Sequence, residues 1–101
     1  AVTGSKRLEG MADVPTVAES LPGYEAVSWG GVMVPAGTPK EIVTRLNTEI
    51  NRILNMPDVA EKLRALGAII VGSTPEEFDK YVKDEITKWG KVARDNNIAI
   101  D

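Results

Sequence analysis

Residues 38–54 read TPKEIVTRLNTEINRIL and residues 74–95 read TPEEFDKYVKDEITKWGKVARD, and these two stretches decide how most of the chain folds. Each opens with Thr-Pro and carries a Glu three positions after the Thr, Glu41 in the first and Glu77 in the second. A threonine hydroxyl can accept from the third helical N–H while the glutamate reaches back to the threonine's own N–H, and proline loses nothing at the first helical position. Ile42, Val43, Leu46, Ile50, Ile53 and Leu54 then recur at helical spacing, as do Phe78, Val82, Ile86, Trp89 and Ala93, widened by Tyr81 and Val92. Thr38 and Thr74 are therefore the expected N-caps. Helices are expected over Pro39–Leu54 and Pro75–Asn96, with Trp89 packed in the core.

Between them, Met56-Pro57 breaks the first helix, because a proline ring clashes with a continuing turn. A shorter helix is expected over Asp58–Leu66, with Val59, Leu63 and Leu66 on one stripe and Gly67 at its left-handed C-terminal position. Ala68-Ile69-Ile70-Val71 reads as a buried strand. Asn96-Asn97 ends the last helix, and Ile98-Ala99-Ile100 adds a final extended contact. The two long helices resemble each other enough to raise internal duplication. Their flanking segments do not match, and a shared cap and period suffice to explain the likeness.

The N-terminal third has another character. Ala1-Val2-Thr3 reads as a short strand ended by Gly4-Ser5, and Leu8–Val14 as a loop. Pro15–Glu19 is expected to form one or two helical turns, with Thr16 and Glu19 placed for a capping box. Leu21-Pro22-Gly23 is a turn. Tyr24–Val34, YEAVSWGGVMV, reads as a strand interrupted at Gly30-Gly31, where a bend or a close backbone approach is expected.

A chain of 101 residues holds one modest core. With 12 Lys and Arg against 15 Asp and Glu, the net charge of −3 argues against a nucleic-acid partner. No Cys or His is present, so thiol nucleophiles, Ser–His triads, disulfides and nearly every zinc site are excluded, and no metal or cofactor is expected. No apolar run approaches a membrane span of roughly 20 residues, and no signal peptide is visible. The start at Ala1 reads as the inside of a strand, so an N-terminal portion of a longer parent is expected to be missing.

Few residues invite chemistry. Glu76-Glu77 and Asp84-Glu85 are paired acids, but their placement fits first-turn dipole compensation and a solvated helix face, not acid–base catalysis. Gly30, Gly31 and Gly37 match no phosphate-loop spacing. Thr3, Gly4 and Ser5 follow a strand, where small hydroxyls and N–H groups suit a carboxylate; an ordinary polar turn is the plainer reading. Ser28, Trp29 and Gly30 form a second candidate strip, with core packing as the plainer role for Trp29. These six residues are the candidate ligand contacts.

AVTGSKR at 1–7, DVPTVAESLPGYEAVSWGGVMVPAGTP at 13–39, NMPDVAEKLRALGAIIVGSTPEEF at 55–78 and KWGKVARDNNI at 88–98 occur in an order that resembles the C-terminal portion of the tripartite tricarboxylate transporter receptors, the Bug-type periplasmic solute-binding proteins. The resemblance covers essentially the whole chain, with a local departure at Gly31, where many relatives carry a larger residue. It implies an α/β fold, part of a two-lobed periplasmic-binding-protein-like architecture whose C-terminal two-thirds is mainly helical. Residues 1–23 would end one lobe, 24–37 would cross over, and 38–101 would complete the other. It implies no enzymatic activity, a periplasmic location, capture of a small carboxylate or dicarboxylate, and delivery to the transporter's membrane subunits. The isolated chain is then expected to be homo-oligomeric or to pair with a missing N-terminal portion. Two rivals stand beside this reading: an interaction or assembly module with no small-molecule ligand, and a small hydrolase or lyase using carboxylates alone.

Overall fold

The computed structural model describes residues 1–99. Three α-helices follow a short 3-10 turn at Val17–Glu19: α1 at Lys40–Leu54, α2 at Pro57–Ala65 and α3 at Pro75–Asp95. The expected helices are all there, within one or two residues at each end. The chain divides into two compact units, Ala1–Met33 and Val34–Asp101.

The expected α/β class is not what forms. Among the described residues no β-strand exists, and β-pairing is limited to an isolated parallel bridge between Val2 and Thr16. Ala1–Thr3, Tyr24–Val34 and Ala68–Val71 were each expected to be strands, and none is. The reason is physical: β-branched and aromatic residues favour a pleated, half-buried surface, and a strand exists only where a neighbour supplies the ladder. Ile69 and Val71 stand 73% and 85% exposed. The described chain is helical, and the two-lobed α/β architecture does not describe it. Ile100, placed by the sequence in a last extended contact, lies outside the described residues.

In the second unit, α1 packs against both α2 and α3. Ala60 on α2 is buried, a small residue that lets helices approach. α2 ends as its sequence predicts: Gly67 takes φ +79°, the Gly67 N–H donates to the Arg64 carbonyl and Ala68 N–H to the Leu63 carbonyl, which closes a Schellman motif. α3 ends the same way with Asn97 at φ 52° and Ile98 N–H donating to Ala93. Two asparagines one turn apart on α1 hold the loop that leads into α3. Asn47 and Asn51 both donate through Nδ2 to the Ser73 carbonyl, at 2.7 and 3.0 Å.

The apolar stripe of α3 is not a core. Ile86 is 67% exposed and Trp89 43%, while Phe78, Val82 and Ala93 are half-buried. Trp89 turns along its own helix instead, its Nε1 donating to Glu85 at 2.8 Å with the Lys88 ammonium 5.1 Å from the ring centroid. Amphipathic periodicity forms the helices here; it does not bury their faces.

Candidate functional site

Thr3, Gly4 and Ser5 lie in the first unit, in a bend fastened on both sides. On the N-terminal side, Val2 N–H donates to the Pro15 carbonyl and Val17 N–H to the Val2 carbonyl, each at 2.9 Å. These bonds make the bridge to Thr16, which is buried. On the C-terminal side, Arg7 grips Glu19 with a two-pronged ion pair, Nε to Oε1 at 2.8 Å and Nη2 to Oε2 at 2.6 Å. Its remaining terminal nitrogen, Nη1, donates to the Ala12 carbonyl at 2.7 Å. The same segment, residues 12–19, therefore holds the bend at Val2 and again at Arg7.

Glu19 joins these tethers. Its Oε1 accepts from Thr16 N–H at 3.0 Å, and its own N–H donates to the Thr16 hydroxyl at 3.3 Å, so the capping box expected from the sequence is complete. The Arg7 hydrogen bonds, then the Thr16 N–H, hold the Glu19 carboxyl at about 2, well below its ordinary 4.5. The same pairing pushes the Arg7 guanidinium above its usual value.

The second strip reaches the first through the backbone. Ala26 N–H donates to the Thr3 carbonyl at 3.0 Å, and a side chain built on Gly4 would sit 3.7 Å from Val27. Ser28 is the next residue along, so the fold carries Ser28, Trp29 and Gly30 on the segment docked to the Thr3–Ser5 bend. Thr3, Ser5 and Ser28 are exposed, and their hydroxyls have no side-chain partner among the described residues. Trp29 is 40% exposed, so core packing does not account for it. Among the described residues nothing lies within 4 Å of a β-carbon built on Gly30.

The paired acids of α3 are engaged within their own helix. Glu77 completes the box with Thr74, Asp84 pairs with Lys80, and Glu85 accepts from Trp89. Among the described residues, no group of three or more His, Cys, Asp or Glu side chains could hold a metal ion, and no helix is long and apolar enough to cross a membrane. Sequence reasoning passed over Arg7. Its partner lies twelve positions away, a separation no helical or strand period marks, although Glu19 itself was legible from its cap.

The model of the tripartite tricarboxylate transporter family receptor, TctC, matches residues 1–98. The chain belongs to that receptor family. The family is one of non-catalytic, periplasmic solute-binding receptors that serve transport. Relatives include a UPF0065 protein encoded in the tcbD-tcbE intergenic region of a Pseudomonas species, 43% identical over 93 residues, which cover 90% of this chain and 28% of the relative. Protein BugT of Bordetella pertussis is 38% identical over 96 residues, 94% of this chain and 29% of BugT. A UPF0065 protein from the clcB-clcD intergenic region of Pseudomonas knackmussii is 31% identical over 93 residues, 90% of this chain and 55% of that protein. The chain thus spans less than a third of the length of the first two relatives. No solved structure gives a significant match.

Proposed function

We propose that this chain is the C-terminal part of an extracytoplasmic, periplasmic receptor that captures a small carboxylate or dicarboxylate and delivers it to the membrane subunits of a tripartite transporter. The observation that carries the reading is the tethered Thr3–Ser5 bend with the Ser28 strip docked on it, Thr3, Ser5 and Ser28 all exposed and their hydroxyls without a side-chain partner among the described residues. A carboxylate needs donors held in place before it arrives, because ordering them on binding subtracts from affinity. Thr3, Gly4, Ser5, Ser28, Trp29 and Gly30 are the proposed ligand contacts. The family's own description as a tricarboxylate transporter receptor supports the ligand class. Calorimetric titration of mono-, di- and tricarboxylates into the full-length receptor tests it. Saturable binding is expected, and T3V/S5A should weaken it by about tenfold or more, as loss of hydrogen bonds to a charged group does. Unchanged affinity in that variant removes the bend from the site.

A second reading, an interaction module, is favoured by one observation. Leu66, Ile69 and Val71 stand together in sequence and are each more than 70% exposed, and apolar surface of this kind is commonly covered by a partner. Under the receptor reading the isolated 101-residue chain is homo-oligomeric or pairs with the N-terminal portion of a longer receptor. Light scattering should report a mass above 10.9 kDa; a sharply monomeric, cooperatively melting chain counts against it.

A further inference from the structure

An arginine two residues from a serine-threonine bend is the obvious counter-charge for a solute carboxylate, and the fold gives it another task. Resting on the carboxylate-binding reading above, we propose that Arg7 is a positioning residue that fixes the Thr3–Ser5 bend through Glu19 and Ala12, and that the two-pronged face it gives to Glu19 is not offered to the solute.

All three guanidinium nitrogens are engaged, Nε and Nη2 with the two Glu19 oxygens and Nη1 with the Ala12 carbonyl. A planar guanidinium takes a carboxylate through a two-pronged face, and Glu19 occupies the Nε–Nη2 face already. A second carboxylate arriving at the Nε–Nη2 face of Arg7 would have to displace Glu19, whose Oε1 also holds the Thr16 N–H. That displacement would open the capping box beside the Val2–Thr16 bridge. Binding through that face of Arg7 would thus loosen the bend it is meant to complete.

The two tethers also divide the work by position. Val2 is held by backbone alone, through Pro15 and Val17, and no side-chain substitution removes that hold. At Arg7 the hold is made by a side chain. Without the guanidinium, residues 3–7 hang from Val2 and from the Ala26–Thr3 hydrogen bond. Lysine would keep the charge without the fork, so it should not substitute.

A double-mutant cycle in the full-length receptor tests this, using R7Q, E19Q and R7Q/E19Q with citrate as the probe. If Arg7 acts through Glu19, each single variant weakens citrate by about tenfold and the double variant is no weaker than the worse single, the non-additivity expected of a pair acting as one unit. A solute-contacting Arg7 gives the opposite pattern: R7Q loses affinity while E19Q, which frees a cation and removes a nearby anion, binds citrate as well as or better than wild type. That outcome overturns the proposal. Amide hydrogen exchange on the ligand-free receptor reads the positioning independently. Exchange at Val2, Val17 and Ala26, whose N–H groups are hydrogen-bonded around the bend, should quicken about tenfold in both single variants and in R7K as the local structure opens, and unaltered exchange overturns the proposal even where affinity falls. If T3V/S5A leaves citrate binding intact while exchange responds as expected, the bend is held by Arg7 and it is the placement of the solute that has failed.

Discussion

Thr38 and Thr74 stand in the same local sequence, Thr-Pro-X-Glu, yet only one of them caps a helix. At Thr74 the box is complete: the Thr74 hydroxyl accepts from Glu77 N–H at 3.2 Å, and the Glu77 side chain accepts from Thr74 N–H at 2.8 Å. At Thr38 the hydroxyl turns backward and donates to the Pro35 carbonyl at 2.8 Å, Pro39 takes the N-cap position, and α1 starts at Lys40 without a side-chain cap. The difference lies upstream of both motifs. Pro35–Thr38 closes on itself, with Gly37 at φ +82° and Thr38 N–H on the Pro35 carbonyl, so an acceptor waits beside the Thr38 hydroxyl. At Ser73 the carbonyl is instead taken by Asn47 and Asn51 from α1, and Thr74 enters the helix in the extended conformation a cap requires. A capping motif offers a bond; the preceding backbone decides whether it is made.

The largest effect is expected at Gly72, which stands at φ +64° with a built β-carbon 2.8 Å from Asn51 Oδ1. G72A combines left-handed strain with displacement of Asn51, and should cost about 2 kcal/mol in chemical denaturation. G30A, which meets open space, should stay within about 0.5 kcal/mol. Equal costs at the two glycines would break the claim that the loop before α3 is specially held. N47A/N51A leaves the Ser73 carbonyl without its donors and should cost on the order of 1–2 kcal/mol. If that pair sets the Thr74 cap, a further T74A change on the N47A/N51A background should cost less than T74A alone. Strict additivity would separate the cap from the asparagines.

T74A itself should cost on the order of 1 kcal/mol by thermal melting, and T38A no more than a few tenths, because only the former removes a cap. A T38A loss as large as that of T74A would restore the motif as sufficient by itself. The other complete box, Thr16–Glu19, adds an arginine and so a pH dependence. With Glu19 held at about 2 against an ordinary 4.5, its stabilising contribution is complete above 4.5 and fades as pH falls through about 2. E19Q should flatten that part of an acid titration followed by circular dichroism. No change in the profile would mean that the Arg7 pair contributes nothing to stability.

Local signals were legible in the sequence. The helices at 40–54, 57–65 and 75–95 and the Thr16–Glu19 box follow from period and cap chemistry, which involve residues within one or two turns of each other. What depended on a distant partner was not legible. The strand assignments at 24–34 and 68–71 rested on residue type, and a strand needs a neighbour that the described chain does not supply. Trp89 sat on the correct stripe, but a stripe does not state what covers it. Thr38 failed because a turn three residues upstream competed for its hydroxyl. At the candidate site the small hydroxyls could be named from sequence; the Arg7–Glu19 tether could not, because it spans a loop. Asn47 and Asn51 left the clearest missed signal, two poor helix formers spaced one turn apart on α1.

A crystal structure of the full-length receptor grown with citrate is the most direct test of the site. The carboxylate is expected within hydrogen-bond reach, about 3 Å, of the Thr3–Ser5 bend or the Ser28–Gly30 strip, with Arg7 still on Glu19. Citrate held elsewhere, for example along the α3 face that carries Glu76 and Asp84, would contradict the account.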